Sequence, residues 1–564
     1  MFYLFKFALI NNKLLKNMKS TFYILLASIV LSACGLEQMA KKYDTTSFTT
    51  APPTLETHAG KVALSFEASF QPKYFIKKAT VDFTPVLVYE GGETSFKTIT
   101  VQGEQATGGE ATIFNSTGGN FSYADDIKYT EEMFNSNLEL RAVARLKDKE
   151  KILGPVNIAK GVIATSTRVE EDYDLANKND GYEYETILEK TATIYFLVNQ
   201  SNIRTTEKSK DDIKDLKDFA KNGYKTHSIE IISYASPEGK VNLNDNVSER
   251  RMKSTVNYTK QLLRSLKFDG ARNNDLYTLT SVGEDWMGFE NLVDASNIKD
   301  KGRINRIVNN IEDVEVREQR IRDLAEVYDA IEDDILPQLR KATIIIRSFE
   351  PKRTDEEIAS LATTSAEELD IKELLHAANL FSDNETIVNI YSKAVELHND
   401  WRGYNNIACL FINEGDLSSA VSHLDKAEEI GGIQSDILIN RGIIAAIKGE
   451  LDRAQQLFNE GSASEKNQAV LDIKQGEYAK AARFYKGNNS YNAVLANILN
   501  GNYDLRCEDN YINAIAAARQ GNNSEVIRYL KQAINSDSSL KSEAANDLEF
   551  FNLRENEEFK NLIN

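Results

Sequence analysis

Proline is scarce in this chain, 8 among 564 residues, and that excludes long Pro-rich spacers of the stiff, extended kind. Cysteine is scarcer still: Cys34, Cys409 and Cys507 are too few and too scattered for a disulfide framework or a metal cluster. Positive charge is in deficit, with 67 Lys and Arg against 85 Asp and Glu and a formal net charge of −18. Phosphate backbones would be repelled, and no basic stripe with interleaved aromatics offsets this, so nucleic acid is excluded as a partner. Catalytic signatures are missing too. There is no G-x-S-x-G elbow, no Walker loop and no H-E-x-x-H. The five histidines, His58, His227, His376, His398 and His423, show no metal-ligand spacing. No catalytic residue, metal or cofactor is therefore expected. The apolar run Thr21–Ala33 is too short to cross a bilayer comfortably.

What is present begins with that run. Its sequence, TFYILLASIVLSA, follows Lys19, so a positive start, an apolar stretch and a small-residue end describe a signal peptide over residues 1–33. Met18 is a candidate start beside Met1. The run ends Leu31-Ser32-Ala33-Cys34-Gly35, which resembles the bacterial lipobox. The resemblance implies that the Cys34 thiol carries diacylglycerol and that the new amino group carries a third chain. Each buried CH₂ contributes roughly 0.8 kcal/mol, so such acylation anchors lastingly. The following Gly35–Lys42 has one acid and two lysines, a poor match to the acidic export signal of surface lipoproteins in Bacteroidota. An outer-membrane location facing the periplasm is the expectation.

A length of 564 residues exceeds what one core organises, so several domains are expected. Residues 34–57 are polar and read as a tether. From Lys61 to about Thr167 the apolar pattern has period two, as in Val62, Leu64, Phe66 and in Leu138, Leu140, Ala142, Ala144, with Gly-Gly pairs at 91, 108 and 118 as turns. This predicts a β-sandwich over 58–168, with a spacer or protein-contact role. Residues 168–187 are acidic and read as a linker. Over 185–350 the predicted order is a strand at Thr193–Val198, a helix at Lys210–Lys221, a strand at Ser228–Ser233 and a helix from Asn244 to Leu266. Helical stretches around Trp286–Val293 and Arg317–Leu339 and a strand at Ala342–Arg347 complete an α/β sandwich.

Residues 355–564 read as wholly helical and repetitive. Asn405-Asn406-Ile407-Ala408 leads to Phe411, Gly415, Ala420, Leu424 and Ala427; 34 residues on, Asn440-Arg441-Gly442 leads to Ala445, Gly449, Ala454 and Phe458. Weaker units start near Ile371, Gln468 and Ile512. The period resembles that of tetratricopeptide repeats, in which glycine turns the chain between two helices and small residues such as Ala420 and Ala454 let them approach. Cys409 and Cys507 fall on predicted helices, as small buried hydrophobes or, alternatively, as a long-range disulfide.

The stretch Asn244-Asp245-Asn246-Val247-Ser248-Glu249-Arg250-Arg251-Met252 resembles the N-x-x-L-S-x-x-R-A pattern of the OmpA-like, peptidoglycan-associating domain, and Glu230–Gly239 aligns with that family's strand and turn. In the family an Asp and an Arg clamp diaminopimelate. The resemblance carries the Arg to Arg251, at the start of a helix whose N-terminus favours anions, and the Asp to Ser236, which has no charge. Glu238 is the nearby acid, and Asn244 completes the candidate set. The order of lipobox, β domain, OmpA-like domain and repeats resembles outer-membrane lipoproteins of Bacteroidota. Three readings follow: a non-enzymatic envelope scaffold with peptidoglycan stem peptide and a repeat-bound protein as partners; an accessory subunit of an outer-membrane secretion or assembly machine; and a surface glycan-binding lipoprotein.

Overall fold

The structure, a computed structural model, describes residues 35–43, 46–178, 180–238 and 240–564, without the side chain of residue 326. Cys34 and residues 1–33 lie outside the described residues. The chain is mixed α/β, with a curled β-sheet in its N-terminal part and an all-helical C-terminal region. It divides into two compact units. One comprises the residues up to Lys178 together with Asn399–Asn564, and the other comprises Asn179–His398. No helix among the described residues is long and apolar enough to cross a membrane.

In the first unit the period-two stretches become strands because alternation places one face in a core. The strands are β1 (Ser47–Ala51), β2 (Thr54–His58), β3 (Lys61–Phe70), β4 (Thr80–Tyr89), β5 (Gly92–Ser95), β6 (Ile99–Gly103), β7 (Ala111–Ile113), β8 (Gly119–Lys128), β9 (Ser136–Leu146) and β10 (Lys149–Ile163). They join in the order β1-β3-β2-β10-β9-β4-β6-β7, with β5 on β4 and β8 on β3. The parallel pairing of β2 with β10 links the two halves, so the strands form one ten-stranded sheet. Val62, Leu64 and Phe66 of β3 and Leu138, Leu140, Ala142 and Ala144 of β9 are buried, as the alternation requires. Phe70 stacks on Phe121 at 5.9 Å, and Phe83 and Phe121 meet at 5.3 Å, at the centre of this core.

The described residues of the segment 34–57 are not the tether their polarity suggests. Residues 35–41 form a helix, β1 and β2 follow, and Leu36, Met39, Tyr43 and Leu55 are buried in the same core. Four well-spaced apolar side chains suffice to hold a polar segment down, and the Tyr43 hydroxyl adds a hydrogen bond to the Leu140 carbonyl at 3.1 Å.

The helices of Asn399–Asn564 pair in antiparallel hairpins: Trp401–Asn413 with Leu417–Gly431, Ser435–Ile447 with Leu451–Gly461, Glu465–Lys474 with Tyr478–Phe484, and Asn510–Arg519 with Asn523–Ser536. Gly415 and Gly449 turn the first two with φ of 78° and 77°, a left-handed conformation that favours glycine. Ala420 and Ala454 are fully buried where the paired helices cross. Arg519 ties this region to the sheet, bridging Glu549 at 2.6 Å and Glu56 of β2 at 2.5 Å.

The second unit holds a four-stranded sheet in the order β11-β14-β12-β13, from β11 (Ile187–Tyr195), β12 (Thr226–Ala235), β13 (Tyr277–Glu284) and β14 (Lys341–Phe349). β12 and β13 are parallel, and the other pairs are antiparallel. The helices Asp211–Lys221 and Val241–Ser265 pack on it. Short helices between Trp286 and Leu339 form a separate apolar cluster around Phe289, Ile304, Ile331 and Leu339.

Candidate functional site

The segment read as a linker holds the main surprise of the first unit. Glu170–Lys178 has no regular secondary structure and lies against successive helices of the C-terminal region. Four buried asparagines hold it. The Glu170 N–H donates to Asn492 Oδ1 at 3.0 Å, and Asn492 Nδ2 donates to the Glu170 carbonyl at 2.9 Å. Asn467 holds Asp174 in the same way at 2.6 and 2.9 Å, Asn440 holds Ala176 at 2.9 and 3.1 Å, and Asn406 holds Lys178 at 2.9 and 3.1 Å. Asn405 adds a bond to the Ala176 carbonyl at 2.8 Å and accepts one from Asn440 at 3.0 Å.

A carboxamide carries donor and acceptor on one planar group, so it pairs with one residue's N–H and C=O much as a neighbouring strand would. Asparagine is a poor helix former, and a buried amide must be hydrogen-bonded. Four buried asparagines on successive helices, each bonded twice to the same segment, are a built device. Asn513 uses it again on the N–H and carbonyl of Cys507, at 3.0 and 2.8 Å. Cys507 therefore sits in the loop before its helix, not on a helix, and both it and the buried Cys409 are free thiols. Their alternative as a disulfide does not arise. Asn440 Nδ2 donates to Cys409 Sγ at 3.3 Å, and burial pushes the Cys409 thiol up to about 12.

Side chains add selectivity to this main-chain grip. Tyr173 and Leu175 pack among the repeat helices, with the Tyr173 ring 6.2 Å from that of Phe458. Lys466 Nζ pairs with Asp172 at 2.7 Å and Asp174 at 3.3 Å, and Lys474 pairs with Glu171. The Ser464 hydroxyl donates to Asp174 at 2.8 Å. The repeat pattern displayed Asn406 and Asn440 at their 34-residue spacing, yet this role was not read from it. A polar residue recurring on the otherwise apolar, buried face of a helix is the signal that could have found it.

The candidate residues of the second unit do meet in one place. Arg251 is only 2% exposed. Its Nε donates to the Gln200 carbonyl at 3.1 Å, Nη1 to Tyr234 at 2.9 Å and Nη2 to Leu197 at 3.2 Å. It does not stand at a helix start: the helix begins at Val241, and Arg251 lies almost three turns inside, beyond reach of the N-terminal dipole. Burial foremost, then the nearby Arg340, lowers its basicity to a pKa of about 10. The Ser236 hydroxyl donates to Glu238 at 2.6 Å. Glu238 is gripped by Arg340 through two bonds of 2.8 and 3.0 Å. Asn244 Nδ2 donates to the Glu238 carbonyl at 3.1 Å and to Glu284 at 2.8 Å, and Trp286 Nε1 donates to Glu284 at 3.0 Å. Sequence reasoning missed Arg340, whose place beside Glu238 depends on a contact 102 residues away.

No known protein family matches the sequence. No curated protein matches it either. Among solved structures the chain is similar to YrrB, described as a TPR protein with an unusual peptide-binding site, at 16% identity, with 34% of this chain and 98% of that chain covered and a TM-score of 0.21.

Proposed function

We propose that the chain is a lipid-anchored, non-catalytic scaffold of the outer membrane that acts by holding protein chains, as an accessory subunit of a larger assembly. In this reading the C-terminal helices are a tetratricopeptide-type solenoid, the N-terminal strands a sandwich-like contact domain, and the second unit an OmpA-like fold used as framework. The observation that carries it is the asparagine ladder. A polypeptide main chain offers N–H and C=O groups at the spacing each carboxamide reads, and a glycan or a lipid does not. The lipobox-like Leu31–Cys34 supports the anchor.

The geometry around Arg251 favours this reading over peptidoglycan attachment. Its nitrogens are committed to three main-chain carbonyls, and Glu238 is committed to Arg340. The motif Asn244–Arg251 still motivates the second reading, so the experiment covers both. Crosslinking in intact envelopes followed by purification of the full lipoprotein should capture outer-membrane proteins. The purified chain should not co-sediment with sacculi. Sedimentation of the parent chain, strengthened by Ser236→Asp, would overturn the accessory-subunit reading in favour of peptidoglycan. Digestion of the protein by protease added to whole cells would indicate the surface glycan-binding alternative. Palmitate labelling that survives Cys34→Ser would overturn Cys34 as the lipidated residue.

A further inference from the structure

We propose that the asparagine-lined groove occupied by Glu170–Lys178 takes as partner an extended acidic segment carrying a tyrosine and a leucine two residues apart, and that Glu170–Lys178 is a built-in occupant that keeps it closed until such a segment displaces it. The inference rests on the reading of the groove as a site for protein chains and adds its ligand class and its regulation.

The asparagines read only main chain, so they accept any extended sequence. Selection must come from the side chains around them. Glu171, Asp172 and Asp174 meet Lys474 and Lys466, while Tyr173 and Leu175 enter the apolar spaces between helices. The groove is thus complementary to an acidic strand with two apolar anchors, and the strap Glu-Glu-Asp-Tyr-Asp-Leu is a specimen of its ligand. Side chain–main chain bonds of this kind are replaceable. When the strap leaves, water or an incoming segment can satisfy the same amides. Within the strap itself only two short-range main-chain bonds exist, Tyr173 N–H to the Glu171 carbonyl and Asn177 N–H to the Leu175 carbonyl, both 2.9 Å, so little internal structure opposes release. Closure comes from connectivity. A segment attached to the same chain has an effective concentration on the order of millimolar, so a free competitor of equal contacts displaces it only at comparable concentration.

The test uses the full chain and a fluorescent synthetic peptide of residues 169–178. The parent should bind it weakly. Tyr173→Ala with Leu175→Ala in the strap should strengthen binding at least tenfold, and adding Asn440→Ala and Asn467→Ala should abolish it. In the strap-weakened chain, Lys466→Glu should invert the preference, so that a peptide with lysine at the positions of Asp172 and Asp174 binds better than the acidic one. In the parent, where no substitution threatens folding, hydrogen exchange at the Glu170, Asp174, Ala176 and Lys178 amides should accelerate with excess acidic peptide and not with the lysine peptide. Equal weak binding by the parent and the strap-weakened chain, with strap amides that respond to neither peptide, would make the strap a permanent clamp and overturn the proposal. Charge-indifferent binding would overturn the ligand class. Neither result touches crosslinking in the envelope, on which the scaffold reading stands separately.

Discussion

Two regions of this molecule bury polar side chains against main chain, and they do it with different chemistry. The helical groove uses neutral carboxamides, each matched donor to acceptor with one residue of a segment 228 to 322 residues away in sequence at its two ends. The second unit uses one guanidinium, Arg251, against carbonyls of Leu197, Gln200 and Tyr234. An amide pair is balanced, carries no net charge into the interior and can exchange one strand for another. An arginine has donors only, and carbonyls solvate its charge without neutralising it. Burial foremost, and then the neighbouring Arg340, lowers the basicity of Arg251. The first arrangement suits recognition, and the second suits fixing the loop after β11 and the end of β12 to a helix.

The largest expected effect separates those roles. Arg251→Ala should destabilise the chain by about 3–5 kcal/mol, because it leaves buried carbonyls unpaired, each costing about 1–3 kcal/mol, and opens a cavity. Chemical denaturation followed by circular dichroism measures it. A change within about 0.5 kcal/mol, the scale of an ordinary surface substitution, would return Arg251 to the role of ligand clamp. The sign of the pH dependence follows from the depressed pKa. Below about pH 10 the folded and unfolded arginine are both charged, so the penalty of burying the charge is constant. Above that pH the unfolded chain binds more protons, and this contribution to stability rises.

A smaller loss is expected from Asn440→Ala. The Ala176 N–H loses its partner, its carbonyl keeps only the bond from Asn405, and the grip on the strap weakens, for about 1–3 kcal/mol. Protection of the Ala176 amide against hydrogen exchange should fall by more than tenfold, while strands β11 and β14 of the second unit stay protected. Uniform loss across both units would erase the distinction between an exchangeable ladder and a fixed cluster.

The smallest effect is kinetic. Cys409 lies beneath Asn440 with its thiol pushed up to about 12, so a maleimide at pH 8 should modify it far more slowly than the half-buried Cys507. Asn440→Ala should speed Cys409 modification. Equal rates for the two thiols in the parent would show that the groove floor is open.

Legibility in the sequence followed the range of the interaction. β3 and β9 were readable because alternate side chains enter one core, and the hairpins of residues 399–461 were readable because glycine and alanine recur with the repeat. β13 was missed because Thr278–Val282 are exposed and impose no alternation. The helix Val241–Ser265 begins before the expected Asn244, which puts Arg251 deeper still inside it. Residues 34–57 and 168–187 were read as a tether and a linker because polar composition describes side chains. The first is held by a few apolar anchors, and Glu170–Lys178 of the second is held chiefly through its main chain.

The sequence by itself determined the mixed α/β character, the period-two sheet, the helical repeat and the residues worth watching, since each follows from which face of a local element must leave water. Tertiary structure alone decided what those residues do. That Glu238 faces Arg340, that Arg251 is spent on carbonyls and that the repeat asparagines close on Glu170–Lys178 all depend on partners far away in the chain. Hydrogen-bond capacity is written in each side chain, but the partner that satisfies it is chosen by the fold.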